Sequence, residues 1–139
     1  MEKLKPALSK KNRWYIDKHR YYELKYFCLQ YRNWKKAYSE LDGSTLRQPT
    51  HDIHIKRSSL SDPTVGIAVA KVYYRDMIEL VERTAEETDN LLNEYILKGV
   101  TEGVSYDYLF TVMEIPCGRE TYYDRYRKFF WLLDKNKES

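Results

Sequence analysis

Leu24, Phe27, Tyr31, Trp34, Tyr38 and Leu41 follow one another at intervals of 3, 4, 3, 4 and 3 residues. Those intervals return to one side of an α-helix, so Trp14 to Leu41 reads as a single long helix with a continuous apolar stripe. At the usual rise per residue it would reach roughly 40 Å, more than a small domain can cover along its whole extent. The stripe therefore predicts a homodimer, or a projecting helix that packs against another part of the chain. Its opposite side carries Lys18, Lys25, Arg32, Lys35 and Lys36. That pattern fits a solvated helix face, or a surface for nucleic acid or a protein partner.

The remaining apolar segments repeat the 3–4 spacing, and no convincing alternating run interrupts them. Five Gly and four Pro in 139 residues also argue against a turn-rich sandwich or barrel. The expected fold is all-α: a long N-terminal helix plus a small helical domain ending in a helix-turn-helix. Asp42-Gly43-Ser44 supplies the turn that ends the first helix, and Thr45 to Ser61 reads as a loop. The chain is thus expected to divide into 1–61, a long basic helix and loop, and 62–139, the helical domain.

Asp62-Pro63 pairs an N-cap acid with proline at the first helical position, and the helix it opens should run to about Glu87. Asp89 then caps a third helix through Leu92, Tyr95 and Ile96, which fades at Lys98-Gly99.

Charge is unevenly spread. Residues 1–40 carry +7, 41–60 carry +1, 61–114 carry −7 and 115–139 carry +2, leaving two basic ends around an acidic middle. Such asymmetry bears on partners and not on fold. The acids late in the second helix, Glu79, Glu82, Glu86 and Glu87, oppose its macrodipole, and their clustering suggests pairing with the basic first helix or with a partner.

Several function classes drop out. The longest apolar run is Phe129-Phe130-Trp131-Leu132-Leu133, against roughly 20 residues for a bilayer span, so no membrane segment is expected. The basic start, Met1 to Arg13, lacks the apolar stretch of a signal peptide. Cys28 and Cys117 are the only cysteines, too few for a disulfide scaffold or a Cys-based zinc site, and a reducing cytoplasm is the default. His51, Asp52 and His54 are a weak metal pattern with neither helical spacing nor a further ligand, so no metal or cofactor is expected. No Gly-rich phosphate loop, nucleophile elbow or Cys–His pairing suggests an enzyme.

The informative stretch is 101–135. Ser105 caps a short helix from Tyr106 to about Met113, and Glu114-Ile115-Pro116-Cys117-Gly118 forms a tight break with one apolar anchor. A last helix runs from Arg119 to about Lys135, with Tyr122, Tyr126, Phe129, Phe130 and Leu133 on its inner side. Short helix, turn, longer basic helix is the outline of a helix-turn-helix. A recognition helix needs an apolar back to be held and an outer row of donors for phosphates and base edges. Here the outer positions are Arg119, Thr121, Tyr123, Asp124, Arg125, Arg127 and Lys128. The pattern equally fits an ordinary antiparallel helix pair with a charged surface.

Ser105-Tyr106-Asp107-Tyr108-Leu109 through Ile115, then Thr121-Tyr122-Tyr123 and Phe129 to Leu133, resembles the RinA/ArpU-type phage transcriptional activators. Their C-terminal half is similar to the region-4 helix-turn-helix of sigma-70 factors. Pro116 and Tyr122 depart from that group's Ile-Ser turn and Thr-Val start, and the turn is two residues longer. The resemblance implies non-catalytic, sequence-specific binding of double-stranded DNA and activation of phage late genes in the bacterial cytoplasm. It places Thr121 near phosphate, and Tyr123, Asp124, Arg125 and Lys128 nearest the base edges. The alternative is a helical interaction module that docks on a host protein machine such as RNA polymerase.

Overall fold

A computed structural model describes residues 11–46 and 63–138. Six helices follow in order: α1 (Lys18–Cys28), α2 (Tyr31–Leu46), α3 (Pro63–Thr88), α4 (Asn93–Glu102), α5 (Tyr106–Thr111) and α6 (Arg119–Glu138). No strand occurs among the described residues, and the fold is all-α. His51, Asp52, His54 and the expected cap Asp62 lie outside the described residues.

The single long first helix is corrected to two. Asp17 opens α1 by accepting the N–H groups of His19 and Arg20. The helix then closes where Leu29 N–H returns to the Lys25 carbonyl at 3.2 Å and Gln30 N–H to that of Phe27 at 3.1 Å. No Gly or Pro marks this break. It lies between Cys28 and Tyr31, which are both buried, and the Tyr31 hydroxyl donates to Glu82. Burying both side chains takes precedence over helix continuity, and the 3–4 spacing cannot register the interruption. Trp34, on the stripe carried into α2, is 4% exposed.

Two expected helix ends also move. α2 runs through Asp42-Gly43-Ser44 to Leu46, and α4 continues through Gly99 to Glu102, ending at Gly103 in the left-handed conformation (φ 71°). A glycine inside a helix costs only about 1 kcal/mol relative to alanine, which surrounding structure readily offsets. Asp89 does not cap α4, whose N-cap is Leu92 with no side-chain bond; its Oδ1 instead accepts the N–H groups of Leu91 and Leu92 in the turn ahead of the helix, at 2.9 and 3.0 Å.

The described residues form two compact units. One unit lies between Arg32 and Glu79; the other joins the residues up to Tyr31 to those from Leu80 onward. In the first, Lys71 Nζ meets Asp42 at 2.9 Å and sits 5.8 Å from the Tyr38 ring centroid. The second holds the larger core, built from Leu24 and Cys28 of α1, Val81 of α3, Ile96 of α4, Leu109 of α5, and Tyr122, Phe129, Phe130 and Leu133 of α6.

Aromatic rings knit that core. Tyr126 and Tyr21 each lie 5.1 Å edge-on from Phe130, within the favourable range for such pairs. Some of the tyrosine hydroxyls find partners within the unit. Those of Tyr21 and Tyr126 bond to each other at 2.8 Å, and Tyr106 donates to the Cys117 carbonyl at 2.6 Å. Buried Thr84 and Thr88 satisfy their hydroxyls on the carbonyls four residues back, at 2.7 and 2.8 Å.

Candidate nucleic-acid interface

The α5–α6 pair is positioned by capping and by a strained reversal. Ser105 Oγ accepts Tyr108 N–H at 3.2 Å and starts α5. Past Thr111 the chain turns through Glu114 at φ 57°, and Ile115 N–H returns to the Leu109 carbonyl at 3.0 Å. Left-handed backbone disfavours a residue with a Cβ, so Glu114 is held there by its surroundings. Buried Ile115 anchors the turn to the core as expected. The Tyr106–Cys117 bond then ties the start of α5 to the approach of α6.

The seven expected interface residues separate into two groups. At the start of α6, Arg119 and Thr121 are exposed while Tyr122 between them is 1% exposed. Arg119 pairs with Asp107 at 2.7 Å, with 58% and 75% of the two side chains in solvent. Its guanidinium also lies 5.1 Å from the Tyr106 ring centroid. Tyr123 is half-buried, and its hydroxyl accepts Tyr106 N–H at 3.3 Å.

Farther along α6, the side chains turn to their own chain. Arg125 donates from Nε to Asp89 at 2.9 Å and from an Nη to Asp124 at 2.6 Å. The bond to Asp89 raises its pKa further above the ordinary value. Asp89 feels opposing effects: partial burial pushes it upward, while Arg125 and the N–H groups of Leu91 and Leu92 together hold it below its usual value. Asp124 also accepts Trp14 Nε1–H at 3.2 Å and lies 3.6 Å from Arg13. Lys128 Nζ sits 5.5 Å from the Trp14 ring centroid, and the Trp131 ring meets Trp14 edge-on at 5.1 Å. Arg127 is half-buried, and its Nε meets no acceptor among the described residues.

The segment before α1 therefore occupies the middle of the outer side of α6. Of the four positions expected nearest to base edges, Asp124, Arg125 and Lys128 engage Asp89, Arg13 and Trp14 instead, and Tyr123 bonds Tyr106. From sequence, Trp14 reads only as the start of the first helix and Asp89 only as a helix cap, because spacing within a segment gives no sign of a contact with residues more than 30 positions away. A hollow of about 610 Å³ lies beside this cluster, lined by three basic side chains (Arg13, Arg125, Lys128) and three acidic ones (Glu86, Glu87, Asp89) among others. That mixed lining selects neither an anion nor a cation. No group of His, Cys, Asp and Glu suited to a metal ion occurs among the described residues, and no described helix is long and apolar enough to cross a membrane.

No protein-family model matches the chain, and neither a curated protein nor a solved structure matches it.

Proposed function

We propose that this chain binds double-stranded DNA through α5 and the first turns of α6, as a non-catalytic transcription regulator. The observation that carries the reading is the division at the start of α6. Tyr122 is locked in the core, while Arg119 and Thr121 on the same turn are presented to solvent. The N-terminal residues of a recognition helix are the ones that enter the major groove. An ion pair as exposed as Arg119–Asp107 contributes little to stability, so Arg119 can exchange its carboxylate for a phosphate or a guanine edge. Thr121 supplies a hydroxyl beside it. Arg125 and Asp124 then act by fixing α6 against Asp89 and the Trp14 segment. The resemblance to phage activators supplies the biological role, regulation of phage late genes in a bacterial host.

The test is titration of the purified chain against fluorescent duplexes, selected from a random library, across a range of salt. Affinity should fall linearly on logarithmic axes as salt rises. Arg119→Ala should weaken binding and lower the salt slope by about one unit if the contact is to phosphate. Absence of salt-dependent duplex binding would overturn the reading.

A second reading, docking on a protein machine, is favoured by Phe110 and Val112, which are 57% and 59% exposed on and just after α5. Retention of purified RNA polymerase by the wild type but not by Phe110→Ser, with duplex binding unchanged, would support it.

A further inference from the structure

The outward side of α1 has a composition that neither the core nor the α5–α6 interface explains. The residues of α1 that pack inward are Tyr21, Leu24 and Cys28. At about 100° per residue, Lys18, Tyr22, Lys25 and Tyr26 gather on one other arc of the helix, with His19 at its edge. Tyr26 is 60% exposed and Tyr22 37%, high values for rings this size, which ordinarily contribute area to a core. Their planes are inclined by 27° with centroids 6.5 Å apart, and Lys25 Nζ lies 5.7 Å from the Tyr22 centroid.

The arc holds no carboxylate. The nearest acids are committed elsewhere: Asp17 caps His19 and Arg20, and Glu23 pairs with Arg20 at 3.0 Å. Arg20 in turn bonds Asp134 at 2.6 Å, which keeps that acid on the α6 side of the helix. Among the described residues no ion pair engages Lys18 or Lys25.

We infer that this arc is a binding platform for single-stranded nucleic acid. Sequence-tolerant recognition of single strands combines cations that track the backbone with exposed aromatic faces on which bases stack. Tyr22 and Tyr26 are such faces. Their 6.5 Å separation is close to two base-stacking intervals of about 3.4 Å each, the room for one base between the two rings. Lys18 and Lys25 lie about two helical turns apart, roughly 10 Å along the axis, and their long side chains can reach phosphates one or two nucleotides apart. Tyr22 also packs edge-on against Tyr21 at 5.0 Å, but an acidic protein surface would use the lysines and leave the exposed face of Tyr26 unused. The platform is separate from α5–α6 and does not depend on the duplex reading.

The experiment uses the whole chain and fluorescence anisotropy with dT20, rU20 and a 20-base-pair duplex, alongside co-sedimentation with vesicles of mixed neutral and anionic phospholipid. Tyr26→Ala should weaken dT20 or rU20 binding about 5- to 150-fold, the range for losing one stacked base, and leave duplex affinity unchanged. Tyr26→Phe should restore single-strand binding, because the stacking face is kept. Lys18→Ala and Lys25→Ala should each lower the salt slope by about 0.7. Preference between dT20 and rU20 then separates a DNA from an RNA ligand. Tyr26-dependent single-strand binding without any duplex binding would uphold this inference while removing the α5–α6 proposal. Single-strand binding that is indifferent to Tyr26→Ala, or lost equally in Arg119→Ala, overturns it. So does absence of single-strand binding, or association with the anionic vesicles alone.

Discussion

The phenol oxygen of Tyr122 fills the space in which a side chain at residue 99 would begin. A Cβ built on Gly99 would lie 2.0 Å from that oxygen and 3.3 Å from the ring carbon bearing it. Tyr122 cannot swing aside, because its ring is packed edge-on or tilted against Tyr106, Tyr123 and Tyr126. Its hydroxyl is buried and meets no hydrogen-bond partner among the described residues, and burial holds its pKa above the ordinary value. Glycine at this point of α4 is therefore a packing requirement.

Gly99→Ala should destabilise the protein by about 1–2 kcal/mol, because overpacking outweighs alanine's better helix propensity. Tyr122→Phe should be neutral or stabilise by up to about 1 kcal/mol, since it removes an unsatisfied buried hydroxyl. The double variant should recover much of the loss seen in Gly99→Ala alone. Urea denaturation of the four proteins gives the coupling directly; additive effects would show that the two residues do not share this space.

Arg125 and Arg119 look alike in sequence and should behave differently. Arg125 bonds two carboxylates and its side chain is 32% exposed. Arg125→Ala should lower stability by about 1–2 kcal/mol, as charge-assisted bonds at a partly solvated site do. Arg119→Ala should stay within about 0.5 kcal/mol of wild type. Equal melting temperatures for the two variants would mean that the Asp89–Arg125–Asp124 cluster does not form in solution.

The acid limb of the stability curve should report on Asp89. Its carboxyl is held below its usual value in the folded protein, so the unfolded chain binds the proton more tightly. The stabilisation is present above the unfolded value, near pH 4, and is lost as pH falls through the lower folded value. Asp89→Asn should be less stable than wild type at neutral pH, with the difference narrowing below about pH 4. A gap that stays constant from pH 7 to pH 3 would contradict this origin.

Glu114 carries the strain of the α5–α6 reversal at φ 57°. Glu114→Gly should stabilise by about 0.5–1 kcal/mol, because glycine enters the left-handed region without the Cβ conflict. Chemical denaturation with an unchanged m-value is the measurement; a loss of stability would show that the Glu114 side chain contributes more than its backbone costs.

Phe129→Ala tests the platform itself. Phe129 is wholly buried, and truncation should cost about 3–5 kcal/mol through the cavity it leaves. Any loss of ligand binding should follow the loss of folded protein in a melting curve recorded beside the titration.

Periodicity alone made the all-α class legible, together with the inner side of α6 and the Ser105 cap. Apolar intervals of three and four, and a hydroxyl one residue ahead of a helix, act within a few residues of themselves. Tyr122, Phe129, Phe130 and Leu133 lie in the core for that reason. The outer side of the same helix was only half legible. Arg119 and Thr121 are open because nothing local covers them. Arg125 and Lys128 satisfied the same pattern, yet their surroundings come from Asp89 and Trp14, 36 and 114 positions away.

Local chemistry thus determined which segments are helical and which side of each is apolar. Tertiary structure decided where helices break and which charges remain available. The split of the first helix at Leu29–Gln30 follows from burying both Cys28 and Tyr31, and the need for glycine inside α4 from the space that Tyr122 takes at residue 99. The commitment of Arg125 to Asp89 and Asp124 follows from folding distant segments together. Spacing within one segment records the balance between water and the interior along its own helix. A charge's partner, or a glycine's necessity, depends on atoms that only folding brings within a few ångströms.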